Sequence, residues 1–119
     1  MTASDEILEI DVEERSAPSG HATLLVVRGE VDMDTADRLE RAMEGAEGPL
    51  VVDLSRVPFM DSTGLRVVLT ATVARDSELA FVLRSDSPVL SLIQLAQVED
   101  RVPHFETEDE ALESIEAAG

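Results

Sequence analysis

Apolar positions along this chain recur with two different periods, and the changes between them mark out its elements. Ile7, Leu8, Ile10 and Val12 are interleaved with acidic residues, which predicts an edge strand over 7–12. Pro18 and Gly20 predict a turn or loop over 16–21, and Thr23-Leu24-Leu25-Val26-Val27 predicts a stronger strand running to Gly29. The link between the two is too short for a crossover helix, so they should pair antiparallel. Ala36, Leu39 and Met43 form one helical stripe. Asp34 or Thr35 can cap that helix, which runs to about Glu44 before Gly45 to Pro49 stop it. Leu50-Val51-Val52 reads as a strand covered on both faces, with Asp53 at its C-terminal end.

The second half repeats the alternation. Leu65, Val68, Leu69 and Thr72 have the i, i+3, i+4, i+7 spacing of one helix face, so a helix begins near Asp61 or Ser62 and ends near Asp76. Leu79 to Leu83 supply a fourth strand. Ser87 as cap and Pro88 at the first helical position then open a helix carrying Leu92, Ile93, Leu95 and Ala96. A weak fifth strand is predicted over 101–105. Thr107 and Glu110 have capping-box spacing for a last helix packing through Ala111, Leu112 and Ile115. Successive strand-helix units predict an α/β fold: a mixed sheet with parallel central strands and right-handed crossovers. No repeat, low-complexity tract or linker divides the chain, and 119 residues suit one core.

Candidate chemistry gathers where the third strand gives way to the second helix. Asp61, Ser62 and Thr63 can each cap the free N–H groups of that helix, and a plain cap is the ordinary explanation for them. The same place also favours an added phosphate, because a helix N-terminus offers unpaired donors and roughly half a positive charge. Phosphorylation would add about −1.5 to −2 charges there without requiring the fold to change. Asp32 and Asp53 are expected in loops after strands, where they can converge beside this helix, while Asp34 has the simpler role of a helix cap. Asp32, Asp53 and Asp61 together could hold Mg²⁺ through carboxylate oxygens, but their spacing matches no specific metal loop, and no metal is expected.

Asp61-Ser62-Thr63-Gly64-Leu65, preceded by the strand with Asp53 and by Phe59-Met60, resembles the signature of the anti-anti-sigma factors, bacterial regulators built on the STAS domain. Val27-Arg28-Gly29-Glu30-Val31-Asp32-Met33-Asp34-Thr35-Ala36 is similar to the strand-turn-helix segment of the same family. Together the two motifs extend the likeness over roughly residues 6 to 117. The resemblance implies a single STAS-like domain over 1–119, with a mixed four- to five-stranded sheet and about four helices packed mainly on one face. It implies Ser62 as phosphoacceptor. Thr63 offers a second hydroxyl at the same helix start, and motif order favours Ser62 by analogy. Asp61 would shape the helix start and local charge, Gly64 would permit close approach, and Asp32 and Asp53 would contact a partner.

The function implied is that of an anti-sigma factor antagonist, whose unphosphorylated form binds an anti-sigma factor that is also a serine kinase, so that the sigma factor is freed. Phosphorylation ends that binding, and a metal-dependent serine phosphatase resets the protein. STAS-like domains also serve as non-phosphorylated scaffold or accessory modules in signalling or transport assemblies, and there Ser62 would be a cap alone. A small-ligand-binding domain has no distinctive pocket residues to support it.

Charge narrows the partners. With 26 acidic against 9 basic residues the formal net charge is −17, which disfavours nucleic acid and anionic membranes and favours a basic protein patch. Exposed charge of this size also favours a monomer when the protein is free. Most acids at the two ends, such as Asp5, Glu6, Glu113 and Glu116, read as solvated surface. There is no Trp or Tyr to stack bases and no cysteine for disulfides, zinc or thiol chemistry. No segment approaches a membrane span and the acidic start lacks the pattern of a secretion signal, so cytoplasm is the expected location.

Enzyme chemistry finds little support. Met60 stands where a Gly-x-Ser-x-Gly elbow needs its first glycine, nothing places His21 or His104 beside Ser62, and the absence of lysine counts against a P-loop. The chain reads as a recipient of phosphate, not as an enzyme, and implies no cofactor of its own.

Overall fold

The computed structural model describes residues 8–17 and 20–118. Five strands form one sheet in chain order: β1 (Glu9–Ala17), β2 (Gly20–Arg28), β3 (Leu50–Arg56), β4 (Leu79–Val82) and β5 (His104–Phe105). β1 pairs antiparallel with β2, and β2 to β5 run parallel. Between the parallel strands lie α1 (Ala36–Gly45), α2 (Ser62–Arg75) and α3 (Pro88–Leu95), and α4 (Glu108–Ala118) follows β5. Right-handed crossovers that all step in one direction along a sheet put their helices on one face. The expected fold class is therefore observed: a mixed sheet with parallel central strands and three of four helices on the same side.

Strand alternation divides the core in two. Leu25, Val27, Leu50, Val52, Leu54, Leu79 and Phe81 face the three crossover helices and meet Leu39, Met43, Val68 and Ile93. Leu24, Val26, Val51, Ala80 and Val82 face the other way, against Ala111, Leu112 and Ile115 of α4. The α1 stripe of Ala36, Leu39 and Met43 and the α4 stripe are both buried as their spacing predicts. Each fully buried aliphatic or aromatic side chain contributes about 1.5–3 kcal/mol relative to exposure.

Several boundaries differ from the sequence expectation. β1 continues to Ala17, because β2 begins at Gly20 and supplies ladder partners as far as Ala17↔Gly20. The strand-like Ile7 and the expected turn residues Pro18 and Ser19 lie outside the described residues, as do Asp5 and Glu6. The weak fifth strand shrinks to two residues behind a 3₁₀ turn, Glu99–Arg101. At α4, Thr107 Oγ1 accepts from Glu110 N at 3.1 Å, but the Glu110 carboxylate takes the N–H of Glu106 at 3.2 Å instead of that of Thr107. Arg75 ends α2 and ties it to its neighbour: its guanidinium donates to the carbonyls of Met43 (2.7 Å), Gly48 (2.8 Å) and Ala46. These carbonyls close α1 and the turn after it, so one cation supplies the missing C-terminal donors.

Candidate functional site

Two loops at the C-terminal ends of β2 and β3 are stitched together. Val31 and Met60 form a parallel bridge, with Val31 N donating to Phe59 O at 3.0 Å and Asp61 N donating to Val31 O at 3.1 Å. This lays the β2–α1 loop, carrying Asp32, beside the first turn of α2. Gly64 makes the approach possible, since a Cβ there would lie 2.6 Å from Met60 Cγ and 2.7 Å from Val31 Cγ1. Gly64 is buried, so the surface it fits closely is that of its own chain.

At the helix start, Asp61 is the cap. Its Oδ1 accepts from Thr63 N at 2.9 Å and Gly64 N at 3.2 Å, while its carbonyl takes the first intrahelical bond from Leu65 N at 3.0 Å. Ser62 is then the first helical residue, exposed, and its hydroxyl makes no hydrogen bond among the described residues. Thr63, the second hydroxyl of the motif, is partly buried.

The neighbouring loop is organised by Asp32. Its Oδ1 accepts from Asp34 N at 2.9 Å and Thr35 N at 3.2 Å, and Thr35 Oγ1 accepts from Asp32 N at 3.0 Å while lying 2.8 Å from Glu30 O. Asp34 is exposed and does not cap α1, and Thr35, the residue preceding that helix, makes no side-chain bond into it. Asp32 instead satisfies the two N–H groups just before the helix, and its carbonyl accepts from Ala36 N at 2.8 Å, so its Asx-type turn leads the chain into α1. Met33 sits within that turn 76 % exposed, and Phe59, on the opposite bridged segment, is 47 % exposed. These two exposed apolar side chains, on the two segments that the Val31–Met60 bridge joins ahead of α2, are missing from the site residues that the sequence points to. The available signal was a large apolar residue set between two aspartates in a turn.

Asp53 is elsewhere. It lies inside β3, paired with Val26 and Val82, is only 5 % exposed, and points to the α4 face of the sheet. The expectation that it ends the strand and converges on the Ser62 helix is corrected accordingly, and Asp32, Asp53 and Asp61 do not share a cation site. Buried carboxylates need donors, and Asp53 Oδ1 receives Ser55 N at 2.9 Å and Ser55 Oγ at 2.6 Å. Its other neighbour is Glu108 at the start of α4. The hydrogen bond and charge of Asp53, with burial, push the Glu108 carboxyl above the usual glutamate range, against the opposing pull of Arg15, whose Nη2 lies 3.2 Å away.

His21 is exposed on β2. His104 lies on β5 with Nδ1 2.7 Å from Val102 O and Nε2 3.5 Å from Glu99, and neither histidine is hydrogen-bonded to Ser62. Among the described residues no helix is long and apolar enough to cross a membrane.

A family model described as MlaB, STAS domain, matches residues 15–104. The chain belongs to the STAS domain family. Among curated proteins, none matches this STAS domain by sequence. Solved structures do. An anti-sigma factor antagonist from Mycobacterium paratuberculosis matches with a TM-score of 0.77 at 28% identity, over 90% of this chain and 92% of that one. The anti-sigma factor antagonist SpoIIAA in its unphosphorylated form matches with a TM-score of 0.64 at 20% identity, over 92% and 97%, and the phosphorylated form of SpoIIAA, a Bacillus cell fate determinant, gives 0.57 at 20% over 87% and 96%. The murine anion transporter Slc26a9 matches at 12% identity and a TM-score of 0.72, over 96% of this chain but 23% of its own. The STAS fold is therefore common to antagonists and to a transporter, and the choice between such roles rests on the site.

Proposed function

We propose that this STAS domain is an anti-sigma factor antagonist whose hold on its partner is ended by phosphorylation of Ser62. The observation that carries the reading is the division of labour at the start of α2: Asp61 caps the helix, so the exposed Ser62 hydroxyl is left for chemistry. The likeness to antagonist structures, one of them solved in both unphosphorylated and phosphorylated forms, supports the same reading. In the unmodified state the partner, a basic anti-sigma factor with serine kinase activity, meets Ser62, Asp32, Asp61 and the apolar Met33 and Phe59. Thr63 and Gly64 support that surface from below, and Asp53 acts from the other side of the sheet by fixing β3.

In the transfer step Ser62 Oγ attacks the γ-phosphorus of ATP bound to the kinase, the bond to the bridging oxygen of ADP breaks, and the hydroxyl proton passes to a base on the kinase. The product has nearly two more negative charges beside Asp61. A loss of ~1.4 kcal/mol at the interface weakens binding tenfold, which is a modest demand on a phosphate placed within it. Hydrolysis by a metal-dependent serine phosphatase releases inorganic phosphate and restores the hydroxyl.

With the partner kinase and ATP, peptide mass spectrometry should locate one phosphoryl group on Ser62. Ser62→Ala should abolish it while the circular dichroism spectrum stays unchanged, and pulldown of the partner should fade as phosphate accumulates. Phosphate solely on another residue, or a partner retained regardless of phosphorylation as by a scaffold, would overturn the reading.

A further inference from the structure

Arg66 lies one helical turn beyond Ser62 on α2, so the two side chains are neighbours on the helix surface, and both are exposed. The residues between them turn elsewhere: Gly64 and Leu65 are buried and Thr63 is partly buried. Among the described residues Arg66 has no carboxylate within 4.0 Å, like Arg38, Arg56, Arg75 and Arg101, whereas Arg15, Arg28, Arg41 and Arg84 each have at least one. With no carboxylate on it, the Arg66 guanidinium is open to another anion, and the exposed serine one turn away is the group on its own helix that can acquire one. On its other side Arg66 lines a small cleft of about 120 Å³ with Glu40 of α1, Val67 and Thr70, and Glu40 does not reach ion-pair distance.

We propose that Arg66 is the intramolecular counter-ion for a phosphoryl group carried by Ser62, which rests on the reading of Ser62 as phosphoacceptor. The acidic group precedes the basic one at i, i+4, the order that also agrees with the helix dipole. A guanidinium presents its donors in a fixed plane that suits phosphate oxygens. The acidic groups near the pair are Asp61 at the cap and Asp32 in the bridged loop on the Ser62 side, and Glu40 of α1 on the Arg66 side. Each disfavours a second charge on the phosphate, and Arg66 favours it. The pair holds the phosphate along α2 and keeps the change local to that face, so the switch needs no rearrangement of the sheet. Arg66 is a positioning residue in this scheme.

The test installs phosphoserine at position 62 during translation, so no kinase is required. In a ³¹P NMR titration at low salt, the second pKa of the phosphate should lie about 0.3 unit lower in the parent protein than in Arg66→Gln. The difference should shrink at high salt, and Arg66→Lys should restore most of it. A purely structural role for Arg66 would leave the titration unchanged. Equal titration of parent and Arg66→Gln would overturn the proposal even if the kinase modifies Ser62. A kinase that ignores Ser62 would overturn the functional reading and leave the titration result standing.

Discussion

Ser62 and Ser87 both stand at helix starts, and the fold treats them in opposite ways. Ser87 lies just outside α3 in extended backbone, is 3 % exposed, and accepts from the N–H groups of Val89 at 3.1 Å and Leu90 at 3.4 Å. Ser62 stands one residue further in, because Asp61 holds the outside position at α2 and takes the corresponding donors. A cap side chain turns back over the helix end, whereas the side chain of the next residue leaves the first turn towards solvent. Modifying Ser87 would remove a cap and bury a charge. Modifying Ser62 leaves the helix end intact, and that one-residue offset separates a structural serine from an addressable one.

The largest way to break this contrast is to disturb the seat of α2. Gly64→Ala pushes a methyl group into Met60 and Val31 and should destabilise the protein by about 1–3 kcal/mol in urea unfolding. Unchanged stability would mean that the helix start is not pressed onto the Val31–Met60 bridge. Ser87→Ala comes next: loss of a buried cap should cost about 1 kcal/mol by the same measurement. Ser62→Ala, removing the same atom from the other serine, should stay within about 0.5 kcal/mol. Equal losses for the two serines would show that Ser62 caps α2 after all.

The smallest expected effect concerns α4, whose N-terminus holds Glu108 against Asp53. Because Glu108 has a raised pKa in the folded protein, the native state binds its proton more tightly than the unfolded chain. The stability this contributes is fully present below the ordinary glutamate pKa and is lost as pH rises through the raised value. Glu108→Gln, neutral throughout, should flatten that part of the profile in urea melts from acid to neutral pH. A profile identical to that of the parent would show that the two carboxyls do not share the proton.

Periodicity made most of the elements legible because each buries a single face. The α1 and α4 stripes, the Ser87-Pro88 start and the parallel core strands all follow from spacing and cap chemistry. Asp53 was misplaced because a carboxylate after an apolar run reads as a strand end. The strand continues through it because Val26 and Val82 pair on either side and Ser55 satisfies its oxygen. Spacing offers Asp34 or Thr35 as the cap of α1; Thr35 does stand at the capping position but its side chain makes no bond into the helix, and Asp32 shapes the turn that leads there. The link from Arg75 to the end of α1 spans 32 residues, and no local pattern announces it.

Local sequence determined the order of strands and helices, the two core faces and the crowding of polar residues before α2, since these depend on neighbours within one or two turns of the chain. Which of Asp61, Ser62 and Thr63 caps that helix, which aspartates share a face, and which arginine stands unpaired beside the serine were decided by the tertiary structure. Hydrogen-bond geometry and burial separate side chains whose local sequence signals are nearly the same, and both are fixed only when the sheet brings distant segments together.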